Sequence, residues 1–164
     1  MTQPDLEPFA PPGAPWVRVS PRLATLRRLL LLVFGLVIAV AALVVGVFVW
    51  WAGLTVFLVG LVAVGWMWVI VGRAVRSWGY AERADDLLIT RGILYRQLVV
   101  VPYGRMQFVD VTAGPLDRRF GLATVQLHTA AAATDAQIPG LVPAEAARLR
   151  DRLAARGEAS SAGL

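Results

Sequence analysis

Two uncharged apolar runs, residues 29–51 and 54–71, constrain this chain more than anything else in it. Neither run contains a proline, and only Ala52 and Gly53 separate them. At a rise of about 1.5 Å per residue, a helix of about 23 residues spans roughly the hydrocarbon core of a bilayer. The expectation is a membrane hairpin over 20–76, with helices at about 29–51 and 54–72 and a tight turn at Ala52-Gly53. A buried helix of a soluble protein is normally shorter and interrupted by polar residues.

The flanks orient such a hairpin. Arg22, Arg27 and Arg28 precede the first run and Arg73 and Arg76 follow the second, whereas the connection is uncharged. By the positive-inside rule these five arginines are topology anchors and both termini face the cytoplasm. Trp50 and Trp51 at the far end, with Trp66, Trp68 and Trp78 toward the near end, suit the two interfaces. A cleaved signal peptide ending at Ala39-Val40-Ala41 is rejected, because the cleaved chain would begin with more membrane-type sequence. Gly35, Ala39, Ala42 and Gly46 line one face of the first helix as a seam of small residues, which suits either the second helix or the helix of a partner. Neither run holds an ionisable residue. A transporter or intramembrane enzyme needs polar groups at that depth, so the hairpin reads as an anchor.

Of the 164 residues, 57% are hydrophobic, leaving room for one small folded domain besides the hairpin. The net charge of +5 comes entirely with arginine, since lysine is absent. Several of these arginines serve topology, and we expect no nucleic-acid partner. Without cysteine, disulfides, thiolate nucleophiles and cysteine-ligated metals are excluded.

Residues 1–19 carry Pro4, Pro8, Pro11, Pro12 and Pro15 among few aliphatic side chains, the composition of a disordered tail. Ser20-Pro21 reads as a helix start. After residue 76 the period shortens toward two, and a mainly β domain is expected over 77–156, followed by a flexible tail at 157–164. Strands are expected around Trp78 and Tyr80, over 87–90, over 93–101 ending at Pro102, over 107–112 ending at Gly114-Pro115, over 124–129, and over 136–138 ending at Pro139-Gly140. Asp85-Asp86 and Arg91-Gly92 are turns. A helical turn at 116–120 ends at Gly121, which is available for a left-handed backbone. Pro143 opens a last helix with Ala146, Leu149 and Leu153 on one stripe.

Three passages give this domain a name: Ile89-Thr90-Arg91-Gly92-Ile93, then Val101-Pro102-Tyr103-Gly104-Arg105-Met106-Gln107, then the run from Gly114-Pro115 through Asp117-Arg118-Arg119 to Gly121-Leu122-Ala123. With Ile138-Pro139-Gly140-Leu141, and Val19-Ser20-Pro21-Arg22-Leu23 before the hairpin, they resemble the bacterial pleckstrin-homology-like (PH-like) domain of small two-helix-anchored membrane proteins. The resemblance implies a membrane α-helical hairpin followed by a cytoplasmic mainly-β PH-like domain, two packed antiparallel sheets with a C-terminal helix. It implies a multi-pass protein of the bacterial cytoplasmic membrane, no catalytic residue and no cofactor. Its partners would be the lipid bilayer, a larger membrane protein with several related PH-like domains, or a second copy of the chain. About eighty residues are short for seven full strands, and an oligomer or neighbouring partner could complete the sheet by edge pairing.

A search for chemistry leaves little. His128 is the lone histidine, no second soft ligand accompanies it, and no metal site is expected. Asp85 and Asp86 are adjacent and point apart. No phosphate loop, nucleophile elbow or dinucleotide fingerprint is present. The lipid- or partner-binding candidates are Arg105, Arg118 and Arg119, whose guanidinium groups can grip phosphates or merely add general attraction to an anionic leaflet. Pro102, Gly114, Pro115 and Gly121 are structural. The functional expectation is a membrane-anchored, non-catalytic binding or assembly module. The alternatives are an anionic-lipid sensor, or an accessory subunit of a transporter or envelope enzyme.

Overall fold

A computed structural model describes residues 15–129 and 135–162. Pro4, Pro8, Pro11 and Pro12, which carried much of the expected disordered tail, lie outside the described residues. Residues 24–73 form one compact unit. The residues up to 23, together with those from 74 onward, form the other.

The helical unit is built from α1 (Arg22–Phe48) and α2 (Trp50–Arg76), both long and apolar enough to cross a membrane. The turn is not at Ala52-Gly53. Only Val49 lies outside the helices: its N–H donates to the Val45 carbonyl at 2.8 Å, and its own carbonyl accepts from Ala52 and Gly53 at 3.1 and 3.0 Å. Hydropathy is unbroken across this join, so the pattern alone cannot mark it. What marks it is close packing, because α1 and α2 approach backbone to backbone where Gly53 meets Gly46. A β-carbon on Gly53 would lie 2.6 Å from the Gly46 nitrogen and 2.7 Å from the Ala42 carbonyl oxygen. The small-residue seam therefore faces the second helix. Ala42 is buried, and Gly35 comes against Val64. On the other side, Gly60 receives Ile38, whose Cγ2 would stand 2.7 Å from an added β-carbon.

The second unit holds two antiparallel sheets. One runs in the order β1 (Val17–Arg18), β2 (Gly79–Glu82), β3 (Asp86–Arg91), β4 (Gln97–Pro102). The other runs β5 (Met106–Thr112), β6 (Ala123–Thr129), β7 (Ala136–Leu141). Burial alternates strictly along β6, as a strand with one face on a core requires. The core is Tyr80, Leu87, Ile89, Val125, Leu127 and Ile138, all nearly or fully inaccessible. Helix α3 (Pro115–Arg119) joins β5 to β6, and α4 (Pro143–Ala162) covers the assembly with the buried stripe Ala146, Leu149 and Leu153.

Four expected boundaries move. Val17 and Arg18, assigned to the tail, pair with Tyr80 and Gly79 as the first strand. All seven strands thus come from one chain, and no neighbour is needed to supply one. The 93–101 strand begins only at Gln97, because Gly92 turns the chain tightly and residues 93–96 form a loop. Pro139-Gly140 does not end β7. The pairing steps from Val125↔Ile138 to Ala123↔Leu141, so β7 absorbs one extra residue as a bulge, where a proline costs no ladder hydrogen bond. Finally, α4 continues through the expected flexible tail as far as Ala162, since 157–162 contain no proline to stop it.

Candidate functional site

Strand register places the candidate residues at two ends of the β-rich unit. Gly79 pairs with both Arg18 and Thr90, so the start of β2, the end of β3 and the start of β4 share one end. The chain leaves the domain toward α1 and returns from α2 at this end, which we term the junction end. The Ser20 N–H donates to the Gly140 carbonyl at 2.9 Å, bringing the end of β7 to the same place. Ala123 pairs with Leu141, which brings the start of β6 and α3 there as well. Opposite lie Glu82, Arg83, Asp86, Pro102 and the single turn of 3-10 helix Tyr103–Arg105.

The α3 corner is a complete local motif. Pro115 takes the first helical position, where its missing N–H costs nothing, and the Gly114 N–H donates to the Asp117 carboxylate at 3.2 Å. At the other end Gly121 adopts φ 63°, its N–H donates to the Arg118 carbonyl, and the Leu122 N–H donates to the Asp117 carbonyl at 2.8 Å. Those paired bonds define a Schellman cap. The expected left-handed glycine is present, and the motif holds Arg118 and Arg119 exposed at the junction end.

Arg105 is also exposed but lies just before β5, whereas Arg118 and Arg119 follow its end. Seven residues of extended strand hold them roughly 20 Å apart. The three arginines therefore do not form one pocket. The arginines expected to anchor topology divide between the two units. Arg28 sits 4.8 Å from the Trp68 ring centroid within the helical unit. Arg22 belongs to the β-rich unit, where its Nη1 would lie 3.3 Å from a β-carbon on Gly121.

A polar network that single-residue reasoning missed binds α4 to the first sheet. The Tyr80 hydroxyl donates to Glu145 Oε1 at 2.6 Å, and Arg148 Nε donates to Glu145 Oε2 at 2.9 Å. Arg148 and Arg152 reach Glu82 at 3.5 and 3.4 Å. Hydrogen bonds from Arg148 first, and from Tyr80 after it, hold the Glu145 carboxyl down at about 2. Burial first, then the bond to Glu145, raises Tyr80 above its ordinary value. Nearer the far end, Arg156 donates to the Tyr103 hydroxyl at 2.7 Å and to the Arg83 carbonyl, while the same hydroxyl donates to Arg83 O at 3.1 Å. Every bridge from α4 to the rest of the domain joins residues more than fifty positions apart in sequence. The one local sign is the Glu145-x-x-Arg148 spacing on a helix face.

This network satisfies the hydroxyls of the buried Tyr80 and Tyr103 and clamps α4 to the first sheet. His128 is likewise occupied: its Nδ1 lies 3.2 Å from Asp135 Oδ2 and its ring stacks on Phe108 at 4.3 Å between centroids. Among the described residues no group of three or more His, Cys, Asp or Glu side chains could hold a metal ion.

Two antiparallel sheets, of four and three strands, capped by a C-terminal helix, with two long apolar helices between the first and second strands, define a PH-like domain joined to a helical hairpin. The bacterial PH domain family model matches residues 22–157, and the chain belongs to that family. Part of it is similar to the UPF0699 transmembrane protein YdbS of Bacillus subtilis (strain 168), 41% identical over 78 residues. That alignment covers 48% of this chain and 48% of the relative, so the match spans about half the length of each. No solved structure matches the chain.

Proposed function

We propose that this protein is a membrane-anchored, non-catalytic assembly module that displays its PH-like domain on the cytoplasmic face of a bacterial membrane. The observation that carries this reading is the position of β1. The domain begins with Val17–Arg18, departs through α1 and α2, and resumes with Gly79–Glu82 paired back onto β1. That pairing supports both ends of the hairpin lying on one side of any membrane it crosses, and the flanking arginines favour the cytoplasmic side. The relative's description as a transmembrane protein supports the anchoring.

For assembly, the domain offers its outer strands. β4 and β5 are edges of their sheets, Val100 is 48% exposed on one and Phe108 52% exposed on the other. Edge strands with exposed apolar side chains favour a protein partner, whether a larger protein with related domains, an accessory role beside a transporter or envelope enzyme, or a second copy. Because the chain lacks cysteine, topology is read from single cysteines. A cysteine at Ala52 should label from outside the cell and one at Ala159 only after lysis; the reverse pattern overturns the orientation. For the partner, a photocrosslinker at Val100 or Phe108 in native membranes should give a discrete adduct that the same probe at exposed Asp151 does not. Recovery only as an uncrosslinked monomer, or turnover of a substrate by the purified protein, defeats the assembly reading.

A further inference from the structure

The most exposed large apolar side chains among the described residues are not on the hairpin. They are Leu94 and Tyr95, 88% and 86% exposed, adjacent at the tip of the β3–β4 connection. Such a turn ordinarily carries Gly, Asn, Asp or Ser. Here the sequence is Gly92-Ile93-Leu94-Tyr95-Arg96, between Arg91 and Gln97. Gly92, at φ 105°, sets the shape: the Tyr95 carbonyl folds back over it, and a β-carbon at Gly92 would lie 2.9 Å from the Tyr95 carbonyl carbon. A backbone closed on itself leaves the Leu94 and Tyr95 side chains pointing outward with nothing of the domain beneath them.

The register decides what they meet. Thr90 and Arg91, which lead into the tip, lie beside Gly79 and Trp78 at the junction end. Arg91 sits 5.9 Å from the Trp78 ring centroid, and its Nε donates to Gln97 Oε1 at 3.0 Å, bracing the base of the loop. From Arg76, the last residue of α2, to Gly79 is three residues, a reach of about 10 Å at most. The exposed α3 residues Leu116, Arg118 and Arg119 occupy the same end. One end of the domain thus combines protruding Leu and Tyr, a collar of arginines and the covalent connections to the helices.

We propose that the 92–96 tip is a peripheral membrane-insertion loop. Leu94 and Tyr95 enter the headgroup–acyl boundary of an anionic leaflet, while Arg91, Arg96, Arg118 and Arg119 lie at the level of the lipid phosphates. Tyrosine suits that depth because its ring is apolar and its hydroxyl is not, and arginines near an anionic surface add attraction. A protein occupant is disfavoured because the chain's own route into the membrane leaves from the same end. The proposal rests on the hairpin being the anchor and not on which partner the domain binds.

The test uses the full chain, with single cysteines at Leu94, Tyr95, Ala84 or Val62 carrying an environment-sensitive fluorophore. The protein is reconstituted in vesicles of phosphatidylethanolamine and phosphatidylglycerol. Ala84 is exposed at the opposite end of the same sheet, and Val62 lies exposed on the hairpin. We expect nitroxide placed near the acyl-chain head to quench labels at 94 and 95 several-fold more than at 84, and aqueous iodide to show the reverse order. Equal iodide quenching at 94, 95 and 84 overturns the proposal. So does shielding from iodide without nitroxide quenching, which would mean a protein covers the tip. The label at 62 is lipid-quenched whenever anchoring holds, so failure of the loop is not confused with failure of the anchor.

Discussion

Glycine serves the two units of this molecule in opposite ways. In the helical unit Gly46 and Gly53 have ordinary helical backbones, and what matters is that no side chain stands between two helices whose main chains nearly touch. In the β-rich unit the space around Gly121 is far more open, with only Arg22 nearby, and what matters is φ. The first is a requirement of packing between distant segments, the second of local conformation. A sequence displays the second more readily, since a cap has a fixed neighbourhood of Gly114-Pro115 and Asp117, whereas contact between Gly46 and Gly53 depends on where the turn falls.

Burial separates the units more sharply still. Leu149 on α4 is fully buried, while Leu43 on α1 is 71% exposed within the chain. Leu149→Ala should cost about 2–5 kcal/mol by losing contacts and leaving a cavity. Leu43→Ala should leave thermal unfolding of the detergent-solubilised protein within a degree or two. Similar losses at both positions would mean that Leu43 is covered by something outside the chain.

Next in size is Gly53→Val, which should separate α1 from α2 at a cost of roughly 1–3 kcal/mol from overpacking, read as reduced excimer formation between pyrenes on the two helices. Gly65→Ala is the control, since nothing approaches that position within 4 Å. If the control separates the helices equally, the seam has been assigned to the wrong face.

Gly121→Val forces a left-handed valine and should lower domain stability by roughly 1–3 kcal/mol. Pro115→Ala leaves the helix start intact and should cost less than about 1 kcal/mol. Equal effects on melting would show that the cap does not depend on φ at Gly121.

The smallest effect separates the units by pH. Glu145 is held at about 2, below the ordinary glutamate value of about 4.3. Its folded pKa is depressed, so its stabilisation is present above the unfolded value and is lost as pH falls from about 4.3 through about 2. Near-ultraviolet circular dichroism should show the domain melting progressively earlier across that window, and Glu145→Gln should flatten the dependence. The helical unit carries no acidic residue and should not respond.

Most of the architecture could be read beforehand because its signals are local. Two uncharged runs, alternating strands, a Pro143-led amphipathic helix and the Gly114-to-Gly121 motif each announce themselves within a dozen residues. What escaped is long-range or too short to carry a period. A two-residue strand beside a proline-rich stretch has no alternation to detect, and β1 exists because Gly79 and Tyr80 lie across from it. The Glu82, Glu145, Arg148 clamp is likewise invisible until α4 is laid on the sheet. Arg105 shares its residue type with Arg118 and Arg119 but not their place, because the length of β5 parts them.

The strand that precedes the anchor has a consequence for biogenesis. Arg18 and Gly79 are about sixty residues apart in the chain yet adjacent in the sheet. In a flexible polymer, closing so long a loop would carry a substantial entropic cost. Here α1 and α2 close it, and a helical hairpin that doubles back brings the two strands together as a by-product. During synthesis Val17 and Arg18 emerge first and must wait, unpaired, until the hairpin has been made and β2 follows it. On the proposed anchoring, insertion of the hairpin therefore comes before the first strand of the sheet can pair.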